Sequence, residues 1–464
     1  MSANRPYTAL MHYSDFRSRF RKTLALSLPV ATATLGTNVL GLIDTAMIGR
    51  LGDLPLAAAG LGNFLFLLFL ALPFGVATAS QTLVARRLGE NSAESAGYDL
   101  NAALLISAAF ALLLSALMLW LVPDVLRVLK NDPELIRLCS DYLLARGPSL
   151  FLMAWIGCFR AFWNGLHIGR CPIYALLVML LVNTLGNYVL IFGHWGVPAL
   201  GVLGAGLASS LAALAGVFTY LLLGLHSARR YGFLRSLPSA PRVVLLLRLA
   251  VPQGFNLLFI SLGLLLLMSI VAALGVAELA IVNVLINFIF IAYLFVEGFG
   301  IASMSLVSEA LGGQRVHEAR RYGWENASLG AACVFFLGLF LALAPEAVLA
   351  LFIVDVDTRE AAVLPARFLG LWLWLDAFGK ILSFSLIGAG ATRAVLLITL
   401  ISWWGIGLPT QWWFGVKLGY GINGIFLVPL PLMLGVAILL ALLWYRGQWQ
   451  HALARLGRNG ATAP

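Results

Sequence analysis

The chain has 464 residues, of which 61% are hydrophobic and only 11% charged, with a formal net charge of +10. Soluble domains carry roughly 25% charged residues, so a string of soluble domains is excluded. The basic residues lie in short clusters between apolar runs, not in the single stripe of a nucleic-acid binder. Those runs are each near the ~20 residues a helix needs to cross a bilayer, which makes this a polytopic helical membrane protein.

Twelve spans are expected in chain order. The first, 23–49, follows a basic stretch (Arg17, Arg19, Arg21, Lys22) that resembles a signal peptide. Its apolar run is too long and has no small-residue cleavage site, so it reads as an uncleaved helix carrying Pro29, Asn38 and Asp44. Spans at 56–85, 99–122 and 136–165 follow, the last with Arg160 inside it. The fifth, 171–193, contains NTLGN, which puts Asn183 and Asn187 on one face, and the sixth is 201–226.

The longest polar connection, 226–248, separates six spans from six and divides the chain into lobes 1–228 and 229–464. The second set lies at 246–275, 279–310 with Glu297, 322–345, 362–389 with Asp376 and Lys380, 393–416 and 421–445. Trp403-Trp404 and Trp412-Trp413 fall near the ends of the eleventh and read as an interfacial aromatic belt in preference to a drug-stacking surface. The tail from Trp444 reads as a short basic interfacial helix.

One ungapped offset aligns the second half with the first. It brings Pro29 onto Pro252, Leu51-Gly52 onto Leu274-Gly275, Gly75 onto Gly298, Leu88-Gly89 onto Leu311-Gly312, Gly165 onto Gly388 and Arg170 onto Arg393. Repeats with an even number of spans enter from the same side and are related by a pseudo-two-fold axis along the membrane normal, as in transporters whose site lies between two halves. About twenty of the thirty basic residues fall on one side if both termini are cytoplasmic, which sets that orientation.

Charge inside a membrane helix is rare and marks functional candidates. Asp44, in GLIDTAMIGRLG, has Leu267 at its matched position, so it belongs to one repeat only and suits a task performed once. Burial penalises the ionised form, which lets a modest pH difference load or unload a proton, and Pro29 permits a kink that responds. A neutral packing aspartate is the alternative. Asn183, Asn187 and Asn38 can complete a polar cluster around Asp44 or serve as interhelical packing. Asp376 and Lys380, four residues apart, read as a structural ion pair before a coupling site. Glu297 either meets a cationic substrate or pairs with Arg160.

No phosphate loop of the GxxxxGK[ST] type is present, the six histidines are scattered, and the four cysteines have no metal or redox spacing. No metal, cofactor or ATP drive is expected, and no nucleophile–base pair suggests an enzyme.

The segment LSLPVATATLGTNVLGLIDTAMIGRLG, with SLIGAGATR (385–393) and GVLGAGLASS (201–210), resembles the multidrug and toxic compound extrusion (MATE) family. Pro29 and Asp44 match the proline and aspartate of that family's first helix. SLIGAGATR is similar to its GAGDTR turn with Ala391 in place of aspartate. The seventh span lacks the glutamate of NorM-type members and Glu297 matches an acid of DinF-like ones, so the DinF-like subgroup fits best; Asp376 matches a NorM-type acid instead. Asn183 matches the fifth-helix asparagine of the DinF-like motif, and Asn187 stands where several members carry aspartate.

The resemblance implies an all-α membrane protein of two six-helix lobes, located in the plasma (inner) membrane. It implies an antiporter that exports amphipathic, often cationic compounds in exchange for H+ or Na+; the expectation from the residues and the repeat is a monomer whose lobes rock, with H+ favoured as coupling ion. One carboxylate with amides suits a proton better than a hard cation, which wants several oxygens. A Na+-coupled exporter of the same fold is one alternative. A lipid-linked precursor flippase is another, although Arg160 and Lys380 are few cations to hold a pyrophosphate.

Overall fold

Long apolar runs, interrupted by glycine and charged turns, leave the backbone one way to satisfy its polar groups in a bilayer, which is to form helices. The computed structural model describes residues 5–128, 132–235 and 238–452, and among them the ordered elements are helical. In the first half α1 is Arg5–Gly49, α2 Asp53–Gly89, α3 Ala96–Val128, α4 Pro133–Gly165, α5 Arg170–Phe192 and α6 Gly201–Ser227. In the second half α7 is Ala240–Ala272, α8 Val276–Gly312, α9 Val316–Leu343 and α10 Val356–Gly388, with a one-turn helix Pro345–Leu349 before α10. The spans Thr392–Lys417 and Gly421–Arg446 are α11 and α12. All twelve contain a window long and apolar enough to cross a membrane.

Helix α1 begins well before the expected residue 23, because the basic turns ahead of the apolar run are themselves helical. The helix runs unbroken through Pro29. Span α11 is irregular: π-helical turns at Leu400–Gly407 and Trp413–Lys417 flank the α-helical Leu408–Trp412, which opens on Pro409. Proline supplies no N–H to the i−4 ladder, so wider turns around it are a direct consequence. Pro133 starts α4 behind Asp132, whose carboxylate accepts from the Glu134 N–H at 2.7 Å. Asp355 caps α10 in the same way, accepting from the Thr358 N–H at 2.9 Å and its hydroxyl at 2.6 Å. Those two donors hold the exposed Asp355 carboxyl below the ordinary aspartate range.

The backbone carries the repeat. Left-handed or otherwise positive φ recurs at matched places: Gly52 and Gly275, Asn91 and Gln314, His167 and Gly390, Gly196 and Gly419. The same turn thus closes α2 and α8, and another closes α4 and α10.

Contacts divide the chain into two compact units. One takes Thr32–Leu262 and Thr392–Leu400. In it α4 packs on α2, α3 and α6, and α5 packs on α6. Its aromatic centre stacks Phe159 on Tyr220 at 5.6 Å, with Phe162 and Phe233 alongside. Gly75 of α2 meets α7 so closely that a Cβ there would overlap the backbone of Gly254 and Ala250.

The other unit takes the chain up to Ala31, then Gly263–Ala391 and Ile401–Ala452. Here α10 plays the part of α4, packing on α8, α9 and α12. Gly298 of α8 meets α1, with a Cβ position 3.0 Å from the Ser27 carbonyl and 3.2 Å from the Ala31 Cβ. Arg19 donates to both carboxylate oxygens of Glu325 on α9, and the Thr23 hydroxyl donates to Asn326 Oδ1 at 2.8 Å. Trp403 packs its indole against Gly263, while Trp412 and Trp413 are exposed. At the end Trp444 and Trp449 stack at 4.0 Å across a short 3-10 turn, Gln448–His451. The remainder of the expected interfacial tail helix lies outside the described residues.

Candidate functional site

Helix α5 presents its polar face because α6 lets it come close. Gly204 leaves no room for a Cβ beside the Leu190 carbonyl, and Gly186 faces the Ala208 Cβ at 3.0 Å. Held there, Asn183 and Asn187 are completely buried. The amide of Asn187 donates to Asp44 Oδ1 at 2.5 Å and to Asn183 Oδ1 at 3.3 Å. The two asparagines and the aspartate expected from sequence therefore meet in one cluster within one unit. Among the described residues, Asn187 Oδ1 and Asn183 Nδ2 have no hydrogen-bond partner, so an acceptor and a donor remain beside the carboxylate.

Sequence reasoning did not single out Arg146, and it is part of this cluster. It comes from α4, lies within electrostatic range of Asp44, and donates to Asn63 Oδ1 on α2 at 2.9 Å and to the Tyr142 hydroxyl. Its guanidinium sits over the Phe66 ring at 4.4 Å. The stretch LLARGPSLF placed this arginine inside the expected fourth span, as securely as Arg160, and that was the available signal. The matched positions of Asp44, Asn63, Arg146, Asn183 and Asn187 are Leu267, Ile286, Leu369, Ile406 and Thr410. The whole polar constellation, and not Asp44 alone, is confined to one repeat.

Of the other expected residues, Asn38 and Arg160 belong to the same unit, and Pro29, Glu297, Asp376 and Lys380 to the other. Asn38 is exposed on α1, and among the described residues no hydrogen bond joins it to Asp44. Six residues at 100° each turn it roughly 120° away from the Asp44 face. Pro29 is half-buried, and the boundary between the two units falls just after it, between Ala31 and Thr32. Arg160 is half-buried on α4, within electrostatic range of Tyr220. In the other unit Glu297 is half-buried on α8, next to the crossing glycine Gly298. The Asp376–Lys380 ion pair forms as expected, with Lys380 Nζ 2.7 and 2.8 Å from the two carboxylate oxygens. Tyr293 of α8, another residue sequence reasoning missed, donates its hydroxyl to Asp376 Oδ2 at 3.1 Å.

A carboxylate held by an amide and faced by a guanidinium can exchange a proton or a small cation. Among the described residues no group of three or more His, Cys, Asp or Glu is placed to hold a metal.

The sequence pattern of the MatE family matches residues 29–189 and 252–413. The chain is 30% identical to a probable multidrug resistance protein NorM from a Synechococcus species, over 92% of this chain and 93% of that one. It is 29% identical to the multidrug resistance protein NorM of Burkholderia vietnamiensis, over 90% and 92%. Its fold superposes on a crystal structure of MATE in the bent conformation with TM-score 0.85, at 20% identity, covering 96% of this chain and 97% of that one. A mutant of the Vibrio cholerae MATE transporter VcmN gives TM-score 0.84 at 18% identity, over 94% and 98%.

Proposed function

Because this chain belongs to the MatE family, transporters and not enzymes, we propose that it is a secondary antiporter exporting amphipathic, often cationic organic compounds in exchange for H+. The proposed coupling carboxylate is Asp44, and the 2.5 Å contact from Asn187 is the observation that carries the reading. The multidrug resistance names of the relatives support the substrate class. Their NorM names, together with Asp376, favour a NorM-related exporter over the DinF-like subgroup suggested by Glu297.

In the proposed cycle substrate leaves as Asp44 takes up a proton. The Asn187 amide and the Arg146 guanidinium stabilise the ionised carboxylate, and protonation weakens both interactions. Helix α1 then bends at Pro29 and the lobes, 1–228 and 229–464, rock to release the proton inside. The setting is the plasma membrane, with both termini cytoplasmic and the protein acting as a monomer. Na+ is the second reading, favoured by the unpartnered Asn187 Oδ1, an oxygen available to a hard cation.

The test is transport of a fluorescent organic cation by energised inverted vesicles, comparing wild type with Asp44→Asn under separate H+ and Na+ gradients. Transport that follows the proton gradient and is lost in a normally inserted mutant is the expected result. Transport by the mutant at the wild-type rate removes Asp44 from the mechanism, and a response to the sodium gradient alone changes the ion.

A further inference from the structure

Asp376 is another carboxylate within an expected span, and both of its oxygens are engaged. Lys380 Nζ lies 2.7 Å from Oδ1 and 2.8 Å from Oδ2, and the Tyr293 hydroxyl donates to Oδ2 at 3.1 Å. The same ammonium lies 4.7 Å from the centroid of the Tyr293 ring. The two carboxylate oxygens, with the phenol oxygen and the ring face alongside, call for a single positive charge beside Asp376, whatever carries it. Here a side chain of the protein fills them.

We infer that Lys380 is a tethered counter-ion: its ammonium stands where an inorganic monovalent cation would otherwise neutralise Asp376, and it thereby bars Na+ from this carboxylate. The inference rests on the proposed ion-coupled export and names the residue that closes one carboxylate to the exchanged ion. Its physical basis is local. Asp376 and Lys380 are one turn apart on α10, so the pair travels as one body through any movement of that helix. A free cation would have to displace an ammonium held at high effective concentration by its own backbone. The pair is also confined to one repeat, since the matched positions of Tyr293, Asp376 and Lys380 are Leu70, Met153 and Gly157. With this carboxylate closed, Asp376 drops out of the exchangeable acids, and Asp44 and Glu297 remain.

The test reads ion binding, not transport. The purified full chain is melted in detergent in NaCl and in choline chloride at equal ionic strength. Every arm carries Asp44→Asn, so failure of the Asp44 reading leaves this measurement intact. The background protein is expected to melt at the same temperature in both salts. Adding Lys380→Met should create a Tm that rises with Na+ and not with choline, and adding Asp376→Asn to that variant should abolish the rise. A Na+-specific rise in the background that Asp376→Asn removes would overturn the proposal, as would a folded Lys380→Met with equal Tm in both salts. Lys380→Gln, which keeps a polar head at the same reach, serves as second variant should Lys380→Met not fold, with the same outcomes deciding.

Discussion

Arg19 and Arg242 occupy matched positions of the two repeats, and each docks on the third helix of the opposite repeat. Arg19 of α1 forms a forked ion pair with Glu325 of α9, and Arg242 of α7 lies over the Tyr98 ring of α3 at 4.7 Å, within electrostatic range of Asp99. The beginning of each repeat's first helix is therefore held by the other repeat's helices.

The two anchors are unequal in strength. Arg19 is only 5% exposed and its partner is largely buried, whereas Arg242 is half-buried in a cation–π contact. Removing one partner of a fully buried pair costs about 3 kcal/mol or more, which sets the upper end for this part-buried one, and a partly exposed cation–π contact contributes about 0.5–1 kcal/mol. Arg19→Ala should therefore lower stability in detergent well beyond Arg242→Ala. Arg19→Lys should recover only part of the loss, since an ammonium cannot reproduce the two-pronged contact. Thermal melts of the three variants check the order, and equal losses for the two alanine variants would refute it.

The crossing glycines are likewise matched but unequal. A Cβ at Gly75 overlaps main-chain atoms of Gly254 and Ala250, which cannot rotate away, whereas at Gly298 it meets the Ser27 carbonyl at 3.0 Å and the Ala31 Cβ at 3.2 Å. Overpacking costs typically about 1–3 kcal/mol. Gly75→Ala is expected near the top of that range and Gly298→Ala near the bottom, as read from melting of the purified variants. A Gly298→Ala variant that melts lower than Gly75→Ala would sink the argument.

The twelve spans were legible because run length and hydropathy alone decide whether a segment can cross. Their ends were less so. The basic turns ahead of residue 23 join α1 once Arg19 finds Glu325, a residue on a distant helix that no local pattern reveals. Asp44, Asn183 and Asn187 stood out by residue type and spacing. Arg146 lies as deep in its span as Arg160 and carried the same signal, but its link to Asn63 and Asp44 was not legible, since only the packing of α1, α2 and α4 brings them together. Asn38, expected as a further member of the cluster, is exposed and turned away from the Asp44 face by helical rotation.

The nearness of Arg146 to Asp44 predicts that the two are energetically coupled. Truncating Arg146 leaves Asp44 without its positive neighbour and also strips Asn63 Oδ1 of a donor. In a double-mutant cycle of Asp44→Asn, Arg146→Ala and both together, the stability changes should fail to add by at least about 0.5 kcal/mol. Arg146→Ala alone should also lower proton-driven transport. Additive changes would show that the guanidinium serves only the Tyr142–Asn63 side.

Pro29 separates the part of α1 grouped with α8–α10 from the part that carries Asp44, since the unit boundary falls just beyond it, between Ala31 and Thr32. A proline inside a helix removes the N–H that would bond to the carbonyl four residues back, here that of Ala25, and costs about 3 kcal/mol of helix stability. If the residue persists only as a weak point that lets α1 bend, Pro29→Ala should move two observables in opposite directions. Restoring the helical hydrogen bond should raise the melting temperature or leave it unchanged. Stiffening α1 should slow gradient-driven transport severalfold, without altering the amount of protein in the membrane. Paired measurements of melting and vesicle transport decide the point. A variant that melts higher and transports at the wild-type rate would remove the hinge from the mechanism, whereas slower transport in a more stable protein is the signature of a bend the cycle requires.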